Sequence, residues 1–177
     1  PSYAYVTSST SYDDYGRPLT VSDGRSNSTT TSYHPFYGYA ASVTNALGHV
    51  ASTVVDPRWG VPTQTTDANG HVTTLQYDGY GRLTAVWLPT EPTSGPASYL
   101  FSYDAAARPA RVQSRRLQDA GSGTYRESWQ YVDGFGHTLQ TQQPTATGGS
   151  RIVTSQQYDG QGKLLRQSAA YELAGAA

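Results

Sequence analysis

The sequence contains no cysteine and no methionine, and only 14% of its 177 residues are charged. The absence of cysteine excludes disulfide bonds, thiolate nucleophiles and cysteine-ligated metal sites. No apolar run in the sequence approaches the roughly 18 residues that a membrane-spanning helix needs. We therefore expect a fold that is stabilised without disulfides and that has no membrane span.

Basic charge is also scarce. The net charge is −1 at pH 7, and the longest run of basic residues is Arg115-Arg116. Proteins that bind nucleic acids usually carry a basic patch that neutralises phosphate groups. Because this sequence offers no such patch, we predict no nucleic-acid partner.

What the sequence does contain is a recurring motif of Tyr-Asp, two variable residues, Gly and then a basic residue. It appears as YDDYGR at 12–17, YDGYGR at 77–82 and YDGQGK at 158–163. A fixed spacing of similar segments is typical of a repeat architecture. In register with the motif glycine lie Gly16, Gly38, Gly60, Gly81, Ala107, Gly136 and Gly162.

Each motif predicts a tight turn. An Asp or Asn at the first turn position accepts backbone N–H groups, and a Gly at the fourth position adopts the positive φ that other residues resist. The predicted structural turn pairs are Asp13 with Gly16, Asn45 with Gly48, Asp67 with Gly70, Asp78 with Gly81, Asp133 with Gly136, and Asp159 with Gly162.

The segments between the turns, such as HVTTLQY and RIVTSQQY, are rich in β-branched and aromatic residues. Such segments, separated by turns every ~8–12 residues, indicate strands joined as hairpins. We predict an all-β fold, a repetitive antiparallel β-hairpin ribbon, over one segment 1–177 without a domain boundary. Residues 88–98, 117–125 and 143–150 are predicted surface loops, and 169–177 is predicted to be coil.

The polar residues suggest little catalytic chemistry. His49, His71 and His137 each follow the motif glycine, in the position that Arg17, Arg82 and Lys163 occupy elsewhere. That position predicts exposed polar residues after a turn. Most Asp residues are assigned to turns, which leaves few carboxylates for acid–base catalysis. We therefore predict no enzymatic activity, no cofactor and no metal site.

Three tryptophans, Trp59, Trp87 and Trp129, admit two interpretations. Aromatic residues near strand ends commonly pack across neighbouring strands. They could also form a stacking platform for sugars. Cross-strand packing is the favoured interpretation, and glycan stacking is the alternative.

The residues 44–89, 131–144 and 156–171 resemble the RHS/YD-repeat family. The resemblance rests on repeated turns such as NALGH, DANGH, DGYGR, DGFGH and DGQGK joined by short strands. It implies that the chain is one arc of a larger hollow β-shell, which in bacterial members encloses a C-terminal toxic polypeptide and in teneurins displays adhesive surfaces. Two turns depart from the pattern: YHPFYG at 33–38 lacks the Asp, and Ala107 replaces a Gly.

The resemblance also implies a secreted or cell-surface location. The expected partners are the remainder of a longer chain or other copies, through exposed strand edges, together with an enclosed cargo polypeptide. The leading hypothesis is a non-enzymatic structural segment of such a shell. The alternative is an adhesin that binds glycans or a protein partner through the ribbon surface. An enzyme such as a polysaccharide hydrolase would need two carboxylates that face each other.

Overall fold

A computed structural model describes residues 7–146 and 148–175, and in this part of the chain every regular element is a β-strand. The predicted all-β, antiparallel fold is confirmed. No helix in these residues is long and apolar enough to cross a membrane. The strands are β1 (Ser9–Tyr12), β2 (Pro18–Ser22), β3 (Ser28–Tyr33), β4 (Ala40–Thr44), β5 (Val50–Asp56), β6 (Val61–Thr66), β7 (Val72–Tyr77), β8 (Leu83–Trp87), β9 (Tyr99–Asp104), β10 (Ala110–Asp119), β11 (Thr124–Val132), β12 (Thr138–Pro144), β13 (Ser150–Tyr158), β14 (Leu164–Gln167) and β15 (Tyr171–Ala174).

The strands belong to two compact units. The N-terminal unit comprises the described residues up to Gln76 together with Leu88–Thr90, and the C-terminal unit comprises Tyr77–Trp87 and the described residues from Glu91 onward. That the whole chain forms a single repeat segment remains a prediction.

The N-terminal unit is a meander in which each strand pairs antiparallel with the next. Successive turns therefore lie at alternating ends of the strands. The turns at 13–16, 34–38 and 56–60 lie on what we call the Tyr-Asp side of the unit. The turns at 23–26, 45–48 and 67–70 lie on the opposite side.

The C-terminal unit continues the same pattern from β8 to β13. Its Tyr-Asp side carries the turns at 78–81, 104–109, 133–136 and 159–162. Residues 91–98, 120–123, 145–146 and 148–149 lie in the loops on its opposite side.

The prediction of coil at 169–177 is wrong for the described residues, because Tyr171–Ala174 form a strand. Both β14 and β15 pair with β13, the first with its C-terminal half and the second with its N-terminal half. Ser168 bridges the two, since its N–H donates to the Ser155 carbonyl and its hydroxyl accepts the Ser155 N–H. The unpaired backbone groups of β13 thus determine the conformation of this Ala-rich segment.

The predicted surface loop 88–98 lies between β8 and β9, but its end is buried. Ala97 is 2% exposed and Ser98 4%. Three loop carbonyls explain this burial, because Gly95 accepts the Trp87 indole N–H, Ala97 accepts the Tyr125 hydroxyl and Ser98 accepts the Leu117 N–H. The loop therefore packs back onto the strands.

The other two loops are shorter than predicted. The β10–β11 pairing extends to Asp119 and Thr124, so the predicted loop 117–125 contracts to 120–123. The Asp119 carboxylate stabilises this tight connection by accepting the Gly121 N–H at 2.9 Å. In the same way, pairing of Pro144 with Arg151 shortens the predicted loop 143–150: of its described residues only 145, 146, 148 and 149 lie outside the strands, and residue 147 lies outside the described residues.

Few side chains are buried. Among the described residues only Ala85, Ala97, Ser98 and Val153 are, and all four belong to the C-terminal unit. Backbone ladders and contacts between adjacent strands and turns must therefore supply most of the stability. The contacts made within and between the turns are therefore important for the stability of both units.

Candidate functional site

The Asp-x-x-Gly turns share one hydrogen-bond pattern. In the first of them, the Asp13 carboxylate oxygen Oδ1 accepts the N–H groups of Tyr15 and Arg17, both at 2.9 Å. The Gly16 N–H donates to the Asp13 carbonyl at 3.0 Å. The turns at Asn45, Asp67, Asp78, Asp133 and Asp159 repeat these three bonds.

The fourth position of each of these turns has a left-handed backbone. The φ angle is +76° at Gly16, +75° at Gly81 and +86° at Gly136. An L-residue with a side chain pays about 1–2 kcal/mol for this conformation, which glycine avoids. The predicted Asp/Asn and Gly residues thus act together to set each turn.

The turn without an Asp uses a histidine instead. His34 Nδ1 accepts the N–H groups of Phe36 and Tyr37 at 3.3 and 3.4 Å, two and three residues further on, whereas the Asp oxygen elsewhere accepts those two and four residues further on. The His34 ring also stacks on Tyr37 and Tyr39. Here the Gly38 N–H donates to the carbonyl four residues back, so this turn is one residue longer.

Exposure is predicted for the histidines after the motif glycine, but His137 and the arginines at the same position fold back onto the turn. Arg17 Nε lies 2.6 Å from Asp13 Oδ2, and Arg82 lies 2.7 Å from Asp78. His137 Nδ1 lies 2.8 Å from Asp133 Oδ2 and is half-buried. In these turns the residue after the glycine therefore bonds back to the turn carboxylate, as an ion pair in the two arginine cases.

The same basic residues contact the tyrosine that precedes the next turn on the Tyr-Asp side. The Arg17 guanidinium lies 4.4 Å from the centre of the Tyr33 ring, and Arg82 lies at the same distance from Tyr103. The His137 ring stacks on Tyr158 with 4.7 Å between ring centres.

Hydrogen bonds reinforce this contact in two of the three cases. The Tyr33 hydroxyl donates to the Pro18 carbonyl, and the Tyr103 hydroxyl donates to the Leu83 carbonyl. In both cases the acceptor is the residue immediately after the stacked arginine. We call this series of ion-paired turns and stacked tyrosines the turn ladder. It links turns that are separated by two strands.

The carboxylates of Asp67 and Asp13 are stabilised in their ionised form. The pKa of Asp67 is lowered, first by the hydrogen bond from the His71 N–H and further by those from the His71 ring and the Asn69 N–H. At Asp13 desolvation is the largest single influence and raises the pKa, but the hydrogen bonds from Arg17 and Tyr15 together outweigh it, so the pKa is lowered.

These shifts predict a loss of stability in acid. A carboxylate whose folded pKa lies below the unfolded value of 3.8 stabilises the fold above pH 3.8, and this contribution is lost as the pH falls through the folded pKa. Asp67→Asn removes the titrating group but retains an acceptor oxygen, as Asn45 does natively. We expect the variant to be less stable than the wild type at pH 6 and the difference to shrink at pH 3, as measured by urea unfolding.

A control for this prediction lies in the same unit. Asn45 occupies the equivalent position two turns earlier and does not titrate, so Asn45→Ala should cost the same stability at both pH values. If the loss of stability caused by Asp67→Asn were also the same at pH 6 and pH 3, the charge of the Asp67 carboxylate would not contribute to the stability of the fold.

The surroundings of the three tryptophans differ. The Trp87 indole N–H is bonded to the Gly95 carbonyl, and the half-buried Trp129 ring lies beneath the Arg111 guanidinium at 5.1 Å. Both side chains are thus engaged in packing. Trp59 lies in the turn at 56–60 and is 45% exposed.

No metal centre is evident in the part of the chain that the structure describes. Within residues 7–146 and 148–175, no three His, Asp or Glu side chains are grouped so that they could hold a metal ion. The candidate site of this protein is the turn ladder together with the surfaces next to it, where the shared hydrogen-bond pattern and the ring contacts occur together.

Two family models match the sequence. Residues 59–86 match the RHS repeat, and residues 105–175 match a domain of unknown function, DUF6443. The first match covers the turns at Asp67 and Asp78. The second covers most of the C-terminal unit. No curated protein matches the sequence significantly.

Solved structures with the same fold come from toxin complexes. The chain is similar to a crystal structure of TcdB2-TccC3, with a TM-score of 0.78 and 17% identity over 93% of this chain. It is also similar to the Photorhabdus luminescens Tc holotoxin pore with a mutated TccC3, with a TM-score of 0.77 and 15% identity over 93% of this chain. The chain spans only 11% and 13% of these two proteins.

Proposed function

The chain belongs to the RHS-repeat family, and from that premise we propose that it is a non-enzymatic segment of a repeat shell that encloses a cargo polypeptide. The observation that carries the proposal is the turn ladder. It ties three turns to the next turn on the same side of their own unit, through Arg17 and Tyr33, Arg82 and Tyr103, and His137 and Tyr158, and such contacts suit an arc of a continuous wall.

The sheet is suited to continuation by further repeats. Units of a repeat protein are stabilised mainly by their neighbours, and a terminal strand without a cap presents unpaired backbone groups. Strand β1 pairs with β2 alone among the described residues, and all four of its residues are exposed. We therefore propose that the remainder of a longer chain, or other copies, pair with this edge.

Cargo enclosure is the finer part of the proposal. It is supported by the similarity to toxin-complex structures of which this chain matches about a tenth. Polar ladders on the strands suit a wall that faces water and an unfolded polypeptide, as where Gln142 donates to Gln140 and Gln140 donates to Ser155. A secreted or cell-surface location belongs to the same proposal.

The test is to isolate the polypeptide from its source, measure its intact mass and image it by electron microscopy. We expect a mass far above the 19.1 kDa of these residues and a hollow particle. We also expect a segment inside the particle to resist protease until the shell is unfolded by urea. A mass equal to that of these residues, or a solid particle whose segments are all cleaved, would refute the shell.

A second candidate function, glycan binding by an adhesin, is favoured by one observation, the exposed Trp59 ring at a turn. The discriminating experiment is binding to a glycan array by the wild type and by Trp59→Ala. Leu47→Ala, which truncates an exposed side chain on the opposite side of the same unit, is the matched control. Binding that only Trp59→Ala abolishes would favour the adhesin.

A further inference from the structure

The three tyrosines of the turn ladder share one environment. Each lies at the end of a strand beside a turn and is half-buried. In each case the ring is covered by a basic residue that directly precedes the adjacent strand. A basic side chain over an aromatic ring is attracted by the negative face of the ring. The pairs are Arg17 before β2 with Tyr33, Arg82 before β8 with Tyr103, and His137 before β12 with Tyr158.

Tyr12 has the same local structure, but it lies on the outermost described strand. Like Tyr33 and Tyr158, it directly precedes the first residue of a turn, and the strand pairing shifts register at all three tyrosines. Tyr12 is nevertheless 60% exposed, whereas the other two are half-buried. In the part of the chain that the structure describes, no basic side chain contacts the Tyr12 ring. Tyr12 is therefore a ladder tyrosine whose outer face is open to a partner.

The spacing along the chain places the partner of Tyr12 outside these residues. In the ladder, the basic residue lies 16 to 21 positions before the tyrosine that it covers, as with Arg17 and Tyr33 or His137 and Tyr158. Only 11 residues precede Tyr12, and none of them is Arg, Lys or His. A basic residue at the ladder spacing would therefore belong to polypeptide that precedes this segment.

The basic residues of the ladder are held in place by their own turns. While Arg17 covers Tyr33, its Nε atom lies 2.6 Å from the Asp13 carboxylate. His137 is likewise bonded to Asp133 at 2.8 Å. A residue fixed in this way loses little conformational freedom when it stacks on the tyrosine. The partner that suits Tyr12 is thus a complete turn in which the residue after the glycine is basic.

We propose that Tyr12 is the docking site for an arginine or histidine of the repeat that precedes this segment in the same polypeptide. The preceding strand pairs antiparallel with the free edge of β1, and its basic residue stacks on the Tyr12 ring. The Tyr12 hydroxyl donates to the carbonyl of the next residue, as the hydroxyls of Tyr33 and Tyr103 do in the two arginine cases. This inference rests on the proposed continuation of the shell wall, and it adds the chemistry of the partner and the register of its strand.

The test is photo-cross-linking in the full-length polypeptide as it is produced in its source. Tyr12→p-benzoylphenylalanine places a photoreactive ring at the site. We expect illumination to join position 12 to a peptide of the same chain that lies 16 to 21 positions upstream and contains a Gly followed by Arg or His, as identified by tandem mass spectrometry. Tyr33→p-benzoylphenylalanine is the positive control and should join the turn at 13–17. Leu47→p-benzoylphenylalanine, exposed on the opposite side of the same unit, should not label the upstream peptide.

A second measurement needs no photoreactive group. Tyr12→Leu removes the ring and the hydroxyl but keeps an apolar side chain. We expect it to raise the hydrogen-exchange rate of the upstream turn by about threefold or more in the full-length polypeptide, because that turn loses its contact. Leu47→Ala should leave the same amides unchanged. Equal exchange in the wild type and in Tyr12→Leu would contradict the docking site.

The cross-linking results separate this inference from the proposed shell. If position 33 labels the turn at 13–17 but position 12 labels nothing, a peptide without a basic residue, or a peptide of another copy, the docking site is overturned. With a large intact mass and a hollow particle, that result would leave the shell standing. A mass equal to the 19.1 kDa of these residues would overturn both the shell and the docking site.

Discussion

Gly162→Ala is expected to destabilise the C-terminal unit by about 2–4 kcal/mol, from backbone strain and steric overlap together. The φ angle of Gly162 is +81°, which an alanine adopts only with strain. A Cβ atom at this position would also lie 2.9 Å from His137 Nε2. His137 cannot easily move aside, because its Nδ1 is bonded to Asp133 and its ring is stacked on Tyr158. Urea unfolding of the purified chain would measure the loss.

The control separates the two causes. Gly136 has a φ of +86°, but no atom lies within 4 Å of the Cβ that an alanine would add there. Gly136→Ala should therefore cost only the backbone term, about 1–2 kcal/mol. If Gly162→Ala lowers the free energy of unfolding by no more than Gly136→Ala does, the bond to Asp133 and the stacking on Tyr158 do not hold His137 in place. If His137→Ala then reduces the cost of Gly162→Ala, the overlap with the histidine ring is its source.

The turns could be predicted from the sequence because they are local. Asp13, Tyr15, Gly16 and Arg17 lie within five residues of one another, and so do all the hydrogen bonds that set the turn. The stacking of Arg17 on Tyr33 is different, because it depends on which turns lie on the same side of the sheet. The sequence nevertheless contained a signal for this stacking. In a meander every second turn lies on the same side, so the turns that can contact each other follow from the order of the strands.

The features that sequence reasoning missed depend on contacts between distant residues. The burial of Ala97 requires the hydroxyl of Tyr125, which is 28 positions further along the chain. The strand at Tyr171–Ala174 exists because β13 offers an unpaired edge, and nothing within the Ala-rich segment indicates this. A short motif thus suffices to predict the hydrogen bonds of a turn. The packing of a loop or of the last strand cannot be predicted from the local sequence.

Val153→Ala is the second substitution expected to cause a large loss of stability, because Val153 pairs with the last strand, β15. This side chain is 0% exposed, and it lies between Gln142 on β12 and Tyr171 on β15. Val153→Ala removes the equivalent of two methylene groups and leaves a cavity, so we expect a loss of about 2–3 kcal/mol in the free energy of unfolding. Urea or thermal unfolding followed by circular dichroism would measure it.

This expectation depends on the docking of β15. If residues 171–174 were coil in solution, Val153 would lie at the edge of the sheet and its truncation would cost well under about 1 kcal/mol. Ile152→Val is the matched control, because the neighbouring side chain points to the other face and is only half-buried. A large loss for Val153→Ala with a small one for Ile152→Val would place the core of this unit beneath its last strand. Equal losses would show that β15 does not cover Val153.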